Sequence, residues 1–175
     1  MSPPCVVPDS SPLITLAKLE RVDLLASLYG QVLVSPAVWH EAVTMGRAIG
    51  ALDAGFLEGL ERKGAIRRVA LKAKERTTSQ GLHAAGRLGS GESEVLAIAR
   101  ERKGLAVMDD KSARVAAVAL GVSHVGTLGV LYESFTRRML SYAELESALD
   151  SVARESWVSP RLVTGILRRA RERQP

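Results

Sequence analysis

The sequence predicts an α/β protein: three layers, α/β/α, around a central parallel sheet, with further helices at the C-terminus. Three observations carry this prediction. Short β-branched runs alternate along the chain with longer segments of helical period. Strands separated in this way pair in parallel through right-handed crossovers rather than as hairpins. Apolar residues fill 46% of the 175 positions and charged residues 25%, enough to build a core and too apolar for global disorder.

Cys5-Val6-Val7 reads as the first strand, closed by Pro8 and the polar Asp9-Ser10-Ser11. Pro12 suits the first turn of a helix whose apolar side is Leu13, Ile14, Leu16 and Ala17. Gln31-Val32-Leu33-Val34 is the second strand. Ser35-Pro36 follow as N-cap and first helical residue of a helix through Ala37, Val38, Trp39 and Glu41. A helical segment after Gly50 reaches about Lys63, and a strand lies around Ile66-Arg67-Arg68-Val69. Ser90-Gly91-Glu92 opens a helix to about Lys103, and Gly104-Leu105-Ala106-Val107-Met108 is the next strand. Asp109-Asp110 caps a helix through Leu120. Val122 to Val125 forms the last strand, and Gly126-Thr127 starts a helix through Val130, Leu131 and Phe135. The tail reads as all-helical, with Ser141 and Ser159-Pro160 as start signals. A single domain over 1–175 is expected, with a helical extension from about 141.

Composition narrows the class. No apolar stretch approaches the ~18–20 residues of a membrane span, and MSPPCVVPDSS has no secretory pattern. A lone Cys5 excludes an internal disulfide, and no Cys/His cluster has zinc spacing. The expectation is a soluble, cytoplasmic protein without a membrane partner. Its net charge of +5 and pI near 9.7 favour a polyanionic partner. Aromatic residues, at 4%, are too few for a base-stacking platform, so Arg and Lys on a nucleic-acid backbone are the expected contacts. Two segments concentrate them: Arg62, Lys63, Arg67, Arg68, Lys72, Lys74 and Arg76, and the tail with Arg161, Arg168, Arg169, Arg171 and Arg173. For the tail a solvated face is at least as good a reading.

The acids are more specific. Asp9, Asp109 and Asp110 each follow a predicted strand closely, Thr127 does so after the last one, and Glu41 lies in the second turn of a helix that follows another. Ligands of parallel sheets sit beyond the carboxyl ends of the strands, so these groups are expected over one edge. Carboxylates crowded there repel one another, and a divalent cation relieves them; an all-oxygen set suits Mg²⁺ or Mn²⁺ rather than zinc. Each acid also has a plainer reading. Asp109 or Asp110 is an N-cap, Asp9 a turn residue, Glu41 a solvated helix residue, and Glu92 a complement to the helix dipole. Glu92 and Glu94 point nearly oppositely on their helix. Glu92 shares a side with Val95, Leu96 and Ala99, which are expected to pack on the sheet; Glu94, with Ile98 and Glu101, is held in reserve.

The ordered motifs resemble those of PIN domains, in the subgroup that opens with D-S-S-P-L-I. Here that motif is Asp9-Ser10-Ser11-Pro12-Leu13-Ile14, followed by Val34-Ser35-Pro36-Ala37-Val38 leading to Glu41. Gly91-Glu92-Ser93-Glu94 comes next, then Met108-Asp109-Asp110-Lys111-Ser112-Ala113-Arg114 and Gly126-Thr127-Leu128-Gly129-Val130-Leu131. The resemblance implies a metal-dependent ribonuclease, akin to VapC-type toxins of toxin–antitoxin pairs, cutting RNA with metal-activated water. It implies Mg²⁺ or Mn²⁺ ligands at Asp9, Glu41, Glu92 and the Asp109/Asp110 pair, with Ser10 and Thr127 supporting them. It further implies an antitoxin partner and a homodimer. For the dimer the apolar Leu24, Leu25, Leu28, Tyr29 and Trp39 serve equally well as core. The alternative function is a catalytically silent PIN-fold module that binds RNA or a protein.

Overall fold

In this computed structural model, residues 4–155 and 158–173 are described; the outermost residues of the expected 1–175 domain lie outside them. The strands are β1 (Cys5–Pro8), β2 (Gln31–Val34), β3 (Ile66–Arg68), β4 (Leu105–Val107) and β5 (His124–Val125). All are short, mostly apolar and paired in parallel, in the order β3-β2-β1-β4-β5. β1 is therefore the middle strand, and Val6, Val7, Val34, Ala106 and Val107 are fully buried. Such unbroken burial is what helices on both faces require. The predicted central parallel sheet is present.

Pro8 ends β1 without damaging the sheet. Its missing N–H lies on the β2 side, where β1–β2 pairing stops at Val6↔Val32. Asp9 N–H continues the β4 side by donating to the Val107 carbonyl at 2.9 Å. A proline at the last residue of a strand therefore removes no needed ladder bond.

Between β1 and β2 run α1 (Ser10–Lys18) and α2 (Asp23–Tyr29). Between β2 and β3 a continuous helix comprises α3 (Pro36–Trp39), a π-helical stretch (His40–Met45) and α4 (Gly46–Ala48); α5 (Leu52–Arg62) follows. The return to β4 uses α6 (Ala73–Ala84) and α7 (Ser90–Arg102), and α8 (Lys111–Ala119) joins β4 to β5. Right-handed crossovers toward β3 place α1–α5 on one face, and those toward β5 place α6–α8 on the other. This is the expected three-layer α/β/α arrangement. Leu24, Leu25 and Leu28 are buried, so they belong to the core.

Two features depart from the sequence expectation. Helix α6 was not foreseen: its sequence is polar, and only Glu75 and Ser79 on it are buried. Glu75 is 1% exposed and takes a two-pronged bond from Arg102, Nε to Oε1 at 2.6 Å and Nη2 to Oε2 at 3.0 Å, which ties α6 to the end of α7. Burial alone would raise the Glu75 carboxyl; the bonds from Arg102 and the Lys72 N–H outweigh it and hold it below its ordinary range. Helix α7 is buried on every side, from Gly91 through Ala99 apart from the half-buried Glu92 and Glu94, and not along one row. It packs on β1 and β4, against α6, and against α3.

The described chain divides into two compact units, one up to Gly126 and one from Thr127. The second holds α9 (Thr127–Thr136), α10 (Tyr142–Glu155) and α11 (Pro160–Arg171). Ser141 and Glu144 form a reciprocal cap on α10, Glu144 N–H to Ser141 Oγ at 3.2 Å and Ser141 N–H to Glu144 Oε2 at 2.8 Å. Leu145, Leu149 and Val152 are its buried stripe. Arg168, Arg169 and Arg171 sit exposed in the last turn of α11, where they complement the helix dipole.

Candidate active site

The strand order reverses direction between β1 and β4: the chain moves outward from β1 through β2 to β3, then returns to β4 and β5. The carboxyl ends of β1 and β4 flank this switch point, where parallel sheets open a crevice for ligands. Asp9 leaves β1 there, and Asp109 follows β4 by two residues.

Asp9 occupies the N-cap position of α1, yet its carboxylate makes no capping bond. Pro12, at the third helical position, has no N–H for it to accept. The carboxylate instead accepts the Ser10 backbone N–H and is 7% exposed. Burial pushes its pKa up to about 6; the Ser10 bond opposes this, and the charges of Glu92, Glu41 and Asp109 add to it. Three of the other candidate acids therefore act on this one carboxyl. Ser10 reaches it through its backbone.

Glu41 comes from the helix that follows β2. Ser35 caps its helix, Oγ accepting the Val38 N–H at 3.2 Å, with Pro36 as the first helical residue. Glu41 lies at the start of the π-helical stretch, a widened turn that proteins often keep at functional positions. The junction with Asp9 is at Gly91, in the first turn of α7. A Cβ at this glycine would stand 3.2 and 3.3 Å from the two Glu41 carboxylate oxygens and 3.3 Å from Asp9 Oδ1. The missing side chain leaves the pocket in which these oxygens meet.

The remaining acids divide by task. Glu92 is half-buried and accepts the Gly89 N–H at 2.8 Å, yet its charge still bears on Asp9. Glu94 accepts the Ala37 N–H at 2.8 Å, so it ties α7 to the first turn of α3. In the 109–110 doublet, Asp110 is the N-cap of α8, Oδ1 accepting the Ala113 N–H at 2.9 Å. Asp109 is the member that bears on Asp9. A Cβ on Gly126 would come within 2.9 Å of Asp109 Oδ1, so a second glycine leaves space at this acid. Thr127 is buried and opens α9 in the second unit. His40, next to Glu41, is exposed. Gly91 and Gly126 were not singled out as site residues by sequence reasoning; their places directly before Glu92 and Thr127 were the available signal.

Among the described residues, no three of these side chains close into a ready-made metal-binding group. They are near enough for Asp9 to respond and far enough apart to limit repulsion between like charges. The donors are all carboxylate oxygens, facing space kept open by glycine, and that set fits a hard divalent cation. Among the described residues, no helix is long and apolar enough to cross a membrane.

No curated protein matches the chain. The family model DUF3368, a PIN domain, matches residues 5–172 and so runs through both units. With its parallel sheet and with acids at the switch point, the chain belongs to the PIN-domain family, a nuclease-type fold whose members generally depend on a divalent cation.

Proposed function

We propose that this protein is an endoribonuclease that hydrolyses RNA phosphodiesters with Mg²⁺ or Mn²⁺ held by Asp9, Glu41, Glu92 and Asp109. The observation that carries the reading is the meeting of Asp9 and Glu41 oxygens over the bare Cα of Gly91. When bound, such a cation lowers the pKa of a coordinated water and offsets charge on the attacked phosphate. The protein's own residues supply placement. Asp9 is held at its N–H by Val107 and at its carboxylate by Ser10, so its position is set before any ligand arrives. Burial makes its ionisation unfavourable without a cation, which couples metal binding to loss of its proton. Asp110 and Glu94 hold helix ends and are not assigned as ligands.

The resemblance to VapC-type proteins supports a toxin role, restrained by an acid-rich antitoxin in the cytoplasm. The net charge of +5 favours both an RNA substrate and such a partner. The direct test is melting and RNA cleavage, with and without Mn²⁺, for the wild type and the Asp9→Asn/Asp109→Asn variant. The wild type alone should be stabilised by Mn²⁺ and should alone cut RNA. Equal melting shifts, or cleavage by both proteins, would defeat the reading.

A further inference from the structure

A centre of four carboxylates repels the phosphates that it must receive, and one divalent ion offsets only part of that charge. A cation supplied by the chain beside the acids would complete the balance. Arg114 is in the right place. It lies in the first turn of α8, immediately beyond the Asp110 cap, and its backbone N–H donates to the Asp110 carbonyl at 3.1 Å. The point where a Cβ of Gly126 would stand is 3.8 Å from Arg114 Nη1 and 2.9 Å from Asp109 Oδ1. The guanidinium and the Asp109 carboxylate therefore border the same small opening, kept clear by a glycine.

Arg114 is exposed and forms no ion pair with an acid among the described residues. The Asp110 oxygen that would attract it at helical spacing is bonded to Ala113 N–H. The forked donor face of the guanidinium remains available for a planar or tetrahedral anion. By contrast, Arg68 and Lys74 of the basic 62–76 segment are engaged, Arg68 with Glu61 at 3.2 Å and over the Trp39 ring at 4.7 Å, and Lys74 with Glu101 at 2.8 Å.

We propose that Arg114 is a substrate-binding residue that grips an RNA phosphate next to the one being cut. This rests on the nuclease reading above and adds a specific contact on the Asp109 side of the centre. The test uses the full chain in three forms: wild type, Arg114→Met and Arg114→Lys. Binding of a short fluorescein-labelled RNA of mixed sequence is followed by anisotropy in EDTA over a range of salt. Melting is followed with and without Mn²⁺. Arg114→Met should weaken RNA binding on the order of tenfold and lower the salt slope by about 1. Arg114→Lys should recover part of the affinity, and the Mn²⁺ shift should be kept in both variants.

Unchanged affinity and salt slope in Arg114→Met would overturn the proposal. So would loss of the Mn²⁺ shift in that variant, because Arg114 would then be acting on Asp109 rather than on RNA. A wild-type protein that binds RNA without cutting it speaks against the nuclease reading. If Arg114→Met still loses affinity in that case, the phosphate contact stands.

Discussion

Asp9 carries the clearest residue-scale consequence. Its folded pKa of about 6 lies above the unfolded value near 3.8, so between these limits the folded state holds a proton that the unfolded state has lost. Metal-free protein should lose stability as pH rises through that window, by no more than about 3 kcal/mol. Asp9→Asn should melt higher than wild type at pH 8 without metal, and the gap should close toward pH 4; scanning calorimetry across pH reads this directly. Gly91 gives the complementary case. Gly91→Ala replaces a helical glycine, worth up to about 1 kcal/mol of helix stability. The new methyl presses on the Asp9 and Glu41 oxygens, which are flexible side-chain ends. The variant should melt at or above the wild-type temperature without metal and show a much weaker Mn²⁺ shift. Asp9, Glu41 and Glu92 were legible in the sequence because strand ends and helix starts are. The glycines that make room for them were not, since contact between residues so far apart in the chain leaves no local pattern.

At the scale of elements, the 109–110 doublet separates into a helix cap, Asp110, and an acid whose charge bears on Asp9, Asp109, which is the one proposed as a ligand. Asp110→Ala should cost about 1 kcal/mol in urea unfolding, the usual value of an N-cap, and keep the Mn²⁺ shift. Asp109→Asn should do the reverse. A result with the two exchanged would show that the assignment is inverted. Sequence alone offered both aspartates the same two roles, because capping depends on which carboxylate meets the Ala113 N–H. Helix α6 was missed for a related reason. Its polar sequence has little periodicity, and its anchor, Glu75, finds Arg102 only after folding. Glu75→Gln should destabilise the protein by about 3 kcal/mol near neutral pH, as removing one partner of a buried ion pair does. The loss should shrink in acid, where wild-type Glu75 gains a proton as pH falls through its lowered folded pKa. For α7, helical spacing gave a one-sided reading, with Val95, Leu96 and Ala99 toward the sheet; its burial all round follows from packing against α6 and α3 as well as the sheet.

For the whole molecule, the parallel sheet and most helices could be read from the chain, since β-branched runs and cap residues recur at regular intervals. The break after Gly126 could not: a helix start looks the same whether or not a compact unit begins there. The helices expected from about 141, α10 and α11, lie within the second unit. The central position of β1 has one more consequence. Its first residue is Cys5, the chain's single thiol, 7% exposed and with its pKa raised by burial against the opposing charge of Arg102. Its burial predicts that a reagent such as Ellman's labels that sulfur slowly in the native state, and more slowly with any ligand that tightens the fold around β1. The protein thus carries its own reporter of native-state opening, readable in a spectrophotometer without an engineered thiol.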